Sequence, residues 1–297
     1  MKHKLLSTAA VLLLVLLTWS CTADEEHAPS AVASAPRELS ITVGSRPGYT
    51  PGIAAPASSA TDGASPATRA IQTPEAAQWE TGDVIWLYVR FEWTDADRNQ
   101  LQNVFISALR YYDNEWLPLT EEDAIGLNTS GIEDFTRHPR WPSEALADGV
   151  IDAKVQIEAY YLGKNIPTDG ILSLDYSTNV MSGRGEFSPG TPITLSFQHI
   201  YARLHVTSKA ELSLNEIAYA NEWNLNEMKG NVQNSCSISV PAGGGYYFVE
   251  VDNNSEVLLN GFPYTLAPGE NIYKGYTYTL VPLTPGMVTP GTVMPGD

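Results

Sequence analysis

The chain has 297 residues, with 34 acidic against 17 basic side chains and a formal charge of −17. An acidic balance of this size excludes the basic surfaces that nucleic acid and anionic lipid headgroups require, so no nucleic-acid partner is expected.

The elements begin with an export signal. Lys2 and Lys4, the apolar run AAVLLLVLL and the small Ser20 read as a secretory signal over 1–20, too short for a spanning helix of about twenty apolar residues. LTWSC then ends on Cys21 and resembles a bacterial lipobox, whose cysteine becomes the lipidated first residue and anchors the chain in the outer membrane. Leu17 stands four residues before Cys21 rather than three, and a plain secretory signal is the alternative. Loss of the signal removes Lys2 and Lys4, leaving 15 basic against 34 acidic residues and a charge of −19. The acidic stretch TADEEHA behind Cys21 resembles a surface-export signal of certain Gram-negative anaerobes, and equally suits a solvated tether over 21–37. With lipid on Cys21, the other cysteine, Cys236, has no disulfide partner. Its alternating surroundings, CSISVP, mark it as a small buried hydrophobe.

ELSITVG over 38–44 alternates and reads as one short strand. It is followed to residue 69 by a Pro-, Ala- and Ser-rich stretch that cannot bury enough apolar surface to offset its ordering entropy. Strand-like runs then recur at 79–93, 104–112, 153–161, 171–177, 193–206, 211–220, 236–240, 246–251, 256–260 and 273–283. Turn-forming clusters such as DNE, PTDG, SPGTP and PAGGG separate them. No segment keeps a 3.6-residue apolar period over three turns. The expectation is an all-β chain of two tandem β-sandwich domains, 70–188 and 189–283, meeting near 183–192. In the tail, 284–297, Pro-Gly recurs at 285, 290 and 295. Proline removes ladder donors, so this tail is expected to stay out of the sheets.

Chemistry-bearing patterns are sparse. The chain carries no nucleophile elbow, no zinc-binding pair and no phosphate-binding Gly-rich loop, and the reading assigns it no catalytic, metal or cofactor site. DADRNQ over 95–100 begins like a calcium loop, but Gln100 and Ile106 stand where the turn glycine and bidentate glutamate belong, so it reads as a polar loop. His199 and His205 lie in LSFQHIYARLHV; on one continuous strand they would be roughly 20 Å apart and could not share an ion. Apolar residues fall at odd positions up to Phe197 and at even positions from Ile200. That phase flip predicts a bulge or kink at Gln198–His199, with His199 bonded to nearby backbone and Tyr201, Arg203 and His205 on the opposite face. The plentiful tyrosines and tryptophans suit half-buried strands and also glycan platforms, and core packing is the preferred reading.

The same stretch resembles a family signature. Phe197, His199, Ala202, Arg203, Leu204 and Val206 fit the Phe-x-His-x-x-Ala-Arg-Leu-x-Val pattern of Mfa-like fimbrillins, the subunits of type V pili and their relatives. RAIQ at 69–72 with Trp79, Gly82, Asp83 and Ile85 resembles the entry to that family's first domain, YYDNEWLPL at 111–119 its hairpin, and PGENIYKGYTYTL at 268–280 its closing strand. The resemblance spans roughly residues 38–283. It implies two transthyretin-like, Greek-key sandwiches without a catalytic site, exported as a lipoprotein. It further implies proteolytic cleavage between Arg69 and Ala70 by an Arg-specific protease, removal of the 38–44 strand, and assembly with other pilin subunits by donor-strand exchange. Arg37 and Arg46 compete as cleavage points, although Pro47 makes Arg46 a poor one. The implied role is a structural or accessory subunit of the pilus, contributing to adhesion; prolines in 284–297 depart from an extended donor strand, which suits a tip or accessory position that accepts a strand and donates none. A lipid-anchored surface protein that binds host glycan or protein without polymerising is the alternative, and a hydrolase with scattered residues a third.

Overall fold

The computed structural model of the chain describes residues 38–50, 77–128, 135–250, 256–266, 274–280, 282 and 291–293. Its first strands are β1 (Ile41–Val43), β2 (Val84–Thr94), β3 (Gln100–Tyr112), β4 (Glu115–Pro118), β5 (Ile151–Tyr161), β6 (Ile171–Ser173), β7 (Met181–Phe187), β8 (Ile193–Leu195) and β9 (Gln198–His199). There follow β10 (Ala202–Val206), β11 (Leu212–Asn224), β12 (Lys229–Val240), β13 (Gly245–Val249), β14 (Glu256–Leu259), β15 (Phe262–Leu266), β16 (Thr277–Leu280) and β17 (Gly291–Val293). The all-β expectation holds, with one short helix added.

Alternation along β2 sets up the first half. Ile85, Leu87, Val89 and Phe91 point to one face and Val84 and Trp86 to the other, and all six are fully buried. A strand apolar on both faces belongs at the centre of a sheet. β2 indeed pairs antiparallel with β3 and β5, within the order β4-β3-β2-β5-β7-β9. The Ile85 face closes against Leu39, Trp141, Ile193, Leu195 and Phe197, so β1 and β8 supply part of the opposite layer. β1 and β8 pair in parallel, Ile41 opposite Ile193 and Val43 opposite Leu195. Asp113 and Asn114 join β3 to β4 with φ of 50 and 66, the left-handed conformation that a tight two-residue hairpin demands.

In the second half a three-stranded sheet, β13-β10-β16, packs on a six-stranded one of order β12-β11-β14-β15-β17, with β6 added beside β11. Ala202, Leu204 and Val206 from β10 meet Leu214, Ile217, Val240, Val257 and Leu259 across that core. A third apolar cluster joins the two halves: Val84 and Trp86 from β2 pack with Tyr201, Ala220 and Trp223.

Three expectations are corrected. Residues 193–206 are not one strand but three segments, because the chain leaves the first sheet after His199 and enters the second at Ala202. Odd positions stay buried through Tyr201 and even positions are buried from Ala202, so the phase flips at 201–202 rather than at 198–199. Tyr201 therefore faces inward, at 4% exposure, instead of toward solvent. Second, Glu121–Asn128 forms a helix, α1. Thr120 caps it by accepting from the Asp123 N–H at 3.2 Å, a polar signal that apolar periodicity does not register. Third, Gly291–Val293 in the Pro-Gly tail form a strand parallel to Tyr264–Leu266. The five-residue proline spacing leaves these residues their own N–H groups between Pro290 and Pro295.

Leu204 is fully buried in the middle strand of the smaller sheet. Leu204→Ala is expected to lower unfolding free energy by about 2–5 kcal/mol through the cavity it leaves, measured as a shift of the urea midpoint at unchanged slope.

Candidate functional site: the seat of the N-terminal segment

Residues 38–50 run across both halves of the fold, and the side chains singled out in the sequence gather around them. The segment starts at the surface, where Glu38 pairs with Arg140 at 2.6 Å and the Leu39 N–H donates to Pro139 O at 2.8 Å. Leu39 enters the first core, β1 lies along β8, and the Gly44 N–H donates to Leu195 O at 2.8 Å. At its far end Thr50 joins the second half: its N–H donates to Gly275 O at 2.9 Å and its carbonyl accepts from Thr277 at 3.1 Å. β8 has no strand partner other than β1 among the described residues.

Phe197 and Trp79 hold the middle of the segment. Their rings meet edge to face at 5.5 Å, and Trp79 Nε1 donates to Gly44 O at 2.7 Å. His199 stacks on the Tyr49 ring with centroids 3.8 Å apart. Its Nε2 lies 3.1 Å from Pro47 O, which can only accept, so Nε2 carries the proton. Nδ1 lies 3.0 Å from Asn179 Oδ1; with the proton on Nε2, the amide must be turned so that its NH2 group donates to Nδ1. The expected backbone bond of His199 is thus present on one nitrogen, while the other has a side-chain partner. Tyr49 Oη reaches the same Asn179 amide at 3.0 Å and burial pushes its phenol pKa upward. Arg203 lies over the Tyr49 ring at 4.8 Å and donates from Nε to Thr277 Oγ1 at 2.9 Å. Ala202, fully buried, admits no larger side chain without displacing the second core.

The entry motif seats the same segment from the other side. Gly82 takes φ +95, and the turn it makes buries Asp83 completely. Asp83 accepts from Tyr161 Oη at 2.9 Å and from the Glu80 N–H at 2.8 Å, and Arg46 of the segment comes within 3.7 Å. The Arg46 guanidinium also sits over Tyr161, 5.0 Å from its ring centroid, and burial raises the Tyr161 phenol above its ordinary range. A buried carboxylate near a cation carried by the segment ties the segment's presence to the first half's electrostatics.

Arg46 and Tyr49 escape a reading based on motifs, because they lie where strand alternation has ended and the linker composition has begun. Their signal in the sequence is an arginine and an aromatic beside Pro47 in an otherwise small-residue stretch. Cys21, Arg69 and Ala70 lie outside the described residues. Cys236 is half-buried rather than fully buried, its thiol 3.6 Å from Gln233 O, and burial raises its pKa. Of the tyrosines noted in the sequence, Tyr247 and Tyr278 are core residues, whereas Tyr246 is 50% exposed and stacks on His205.

No protein-family model and no curated protein matches the chain. Among solved structures it is similar to a chain described as a putative cell adhesion protein from Bacteroides uniformis ATCC 8492, at 15% identity and a TM-score of 0.37, covering 74% of this chain and 93% of that one. A putative cell adhesion protein from Bacteroides fragilis NCTC 9343 aligns at 14% identity and a TM-score of 0.33, over 88% and 98% of the two chains. A fimbrial assembly protein from Parabacteroides distasonis ATCC 8503 does so at 13% identity and a TM-score of 0.31, over 69% and 84%.

Burial, opposed in part by the bond to Pro47 O, lowers the His199 pKa from 6.5 to about 4. The unfolded chain therefore binds more protons than the folded one between those values, so this residue's contribution is complete above pH 6.5 and lost as pH falls toward 4. The contribution is on the order of 3 kcal/mol. His199→Gln is expected to remove that part of the slope. Urea midpoints of both proteins at a series of pH values measure the difference, with the carboxylates common to both.

Proposed function

We propose that this chain is a surface-exposed, fimbrillin-like lipoprotein, non-enzymatic, serving as a tip or accessory subunit of a strand-exchange pilus and contributing to adhesion. Lipid on Cys21 anchors it in the outer membrane after the 1–20 signal is removed. Its two sandwich domains meet where the chain changes sheets, at 199–202. Cleavage between Arg69 and Ala70 cuts the chain behind the N-terminal segment, which then leaves, and a strand from a neighbouring subunit takes its place.

The observation that carries this reading is the seating of 38–50. β1 is a three-residue edge addition, paired in parallel with a single strand, and only Leu39 and Tyr49 of the segment are buried. Its departure leaves β8 without its strand partner and opens the apolar row Ile193, Leu195 and Phe197. Unpaired buried backbone groups cost about 1–3 kcal/mol each, so a replacement strand is strongly favoured. Arg46 is a poor site for the cut, since its side chain is 17% exposed and Pro47 follows it. His199 supports a non-enzymatic role, because both of its ring nitrogens are taken up in holding the segment. An acceptor rather than a donor role is supported by β17, which is paired with the chain's own β15.

Limited digestion of the full chain with an Arg-specific protease, followed by size-exclusion chromatography, tests the proposal. Cleavage at Arg69 with release of 38–50 is expected, and Arg69→Ala should abolish both. A chain cleaved at Arg69 that retains the segment through chromatography would contradict it.

A further inference from the structure

The Arg46 guanidinium sits in a cage built from residues on the far side of the Arg69–Ala70 bond. Trp79 and Tyr161 present their rings to it, with centroids 5.7 and 5.0 Å from Cζ. Nη1 donates to Gln78 O at 3.5 Å and lies 3.7 Å from the Asp83 carboxylate, and Nη2 donates to Tyr161 Oη at 3.4 Å. Trp79 is braced in turn by Trp116, Tyr161 and Phe197, each meeting it edge to face.

Asp83 makes this cage one for a cation. It is fully buried, and its two hydrogen-bond donors, Tyr161 Oη and the Glu80 N–H, bring no charge. The two cations beside the Gly82 turn are committed elsewhere, Lys164 to Glu80 at 2.7 Å and Arg110 to Asp123 at 2.6 Å. Arg46 is thus the ion partner of Asp83 among the described residues, and no other Lys or Arg stands in 38–50. A segment that leaves takes this charge with it, and a buried carboxylate stripped of its cation is costly. A replacement strand with apolar contacts alone would cover β8 and leave Asp83 unmatched.

We propose that Gln78, Trp79, Asp83 and Tyr161 form a guanidinium-binding site, filled by Arg46 in the uncut chain, to which the partner's donor strand must present an arginine. The donor's arginine rests on the strand-exchange reading, whereas the site itself does not. Arginine suits the cage better than lysine, because a planar guanidinium stacks on rings while its separate nitrogens reach a carbonyl, a phenol and a carboxylate. Residues 284–297 contain neither arginine nor lysine, so that stretch of a second copy leaves the cage empty.

A recess of about 370 Å³ borders Arg46 and Tyr161, giving a small cation room to enter once the Arg46 side chain is cut back. Ethylguanidinium, ethylammonium and the neutral isostere ethylurea are titrated into the full Arg46→Ala chain, followed by the Trp79 indole N–H resonance. Saturable ethylguanidinium binding is expected, with the other two at least about tenfold weaker. The unaltered chain, its cage filled, should not respond. In a second measurement, chain cut at Arg69 is offered labelled peptides of residues 38–50. The peptide with Arg46 should be captured about tenfold more tightly than its Arg46→Lys and Arg46→Gln versions. Absence of ethylguanidinium binding to Arg46→Ala, or ethylurea binding as tightly, would overturn the site whatever the fate of strand exchange. Equal capture of the Arg46→Gln peptide would overturn the requirement on the donor while leaving strand exchange standing, and capture of no peptide would overturn both.

Discussion

The seating of residues 38–50 across the point where the chain changes sheets is the constraint on which the rest depends. At 199–202 the backbone leaves one sheet and enters another, and each sheet has its own inside. His199 and Tyr201 still obey the first, whereas Ala202 and Leu204 obey the second. The segment crosses this junction on the outside, tied to the first half through β8 and to the second through Gly275 and Thr277. Polar side chains at such a crossing would otherwise lack partners. The segment gives His199 its Pro47 carbonyl and Tyr49 ring, and it gives Asp83 a nearby guanidinium.

These contacts differ in kind from those of the core. The cores are broad apolar layers, in which each fully buried aliphatic side chain is worth about 1.5–3 kcal/mol. The segment has few such residues and depends on backbone bonds, ring stacking and two ion contacts, Glu38 with Arg140 and Arg46 with Asp83. Breaking any one of them weakens the others, because Pro47, Tyr49 and Asn179 share a single network with His199. The proposed strand exchange requires a piece of chain held in this way to come off as a unit without unfolding the sheets behind it. That distinction separates stability of the body from retention of the segment.

Much of this was legible in the sequence, and the gaps have physical causes. Alternation located β2, β5 and β10, and residues of the Phe-His-Ala-Arg stretch and of the Trp-Gly-Asp entry prove to meet the same segment. The alternation alone misplaced the phase change by a few residues, since Ile200 is apolar yet only half-buried and Tyr201 turns inward with a polar end. The Ala220 N–H donates to that phenol at 3.0 Å, a contact no local pattern encodes. Arg46 was weighed only as a cleavage point, because its carboxylate partner lies beyond the linker.

Native-state hydrogen exchange tests the central claim, that 38–50 is a separately held unit, most directly. The amides of Leu39, Gly44 and Thr50, which donate to Pro139, Leu195 and Gly275, report its two ends and its middle. The account predicts that all three open together, at a free energy well below that of Leu87 and Val89 in the centre of β2. Exchange of the three at the rate of those core amides would show that the segment leaves only on global unfolding, and would contradict the account.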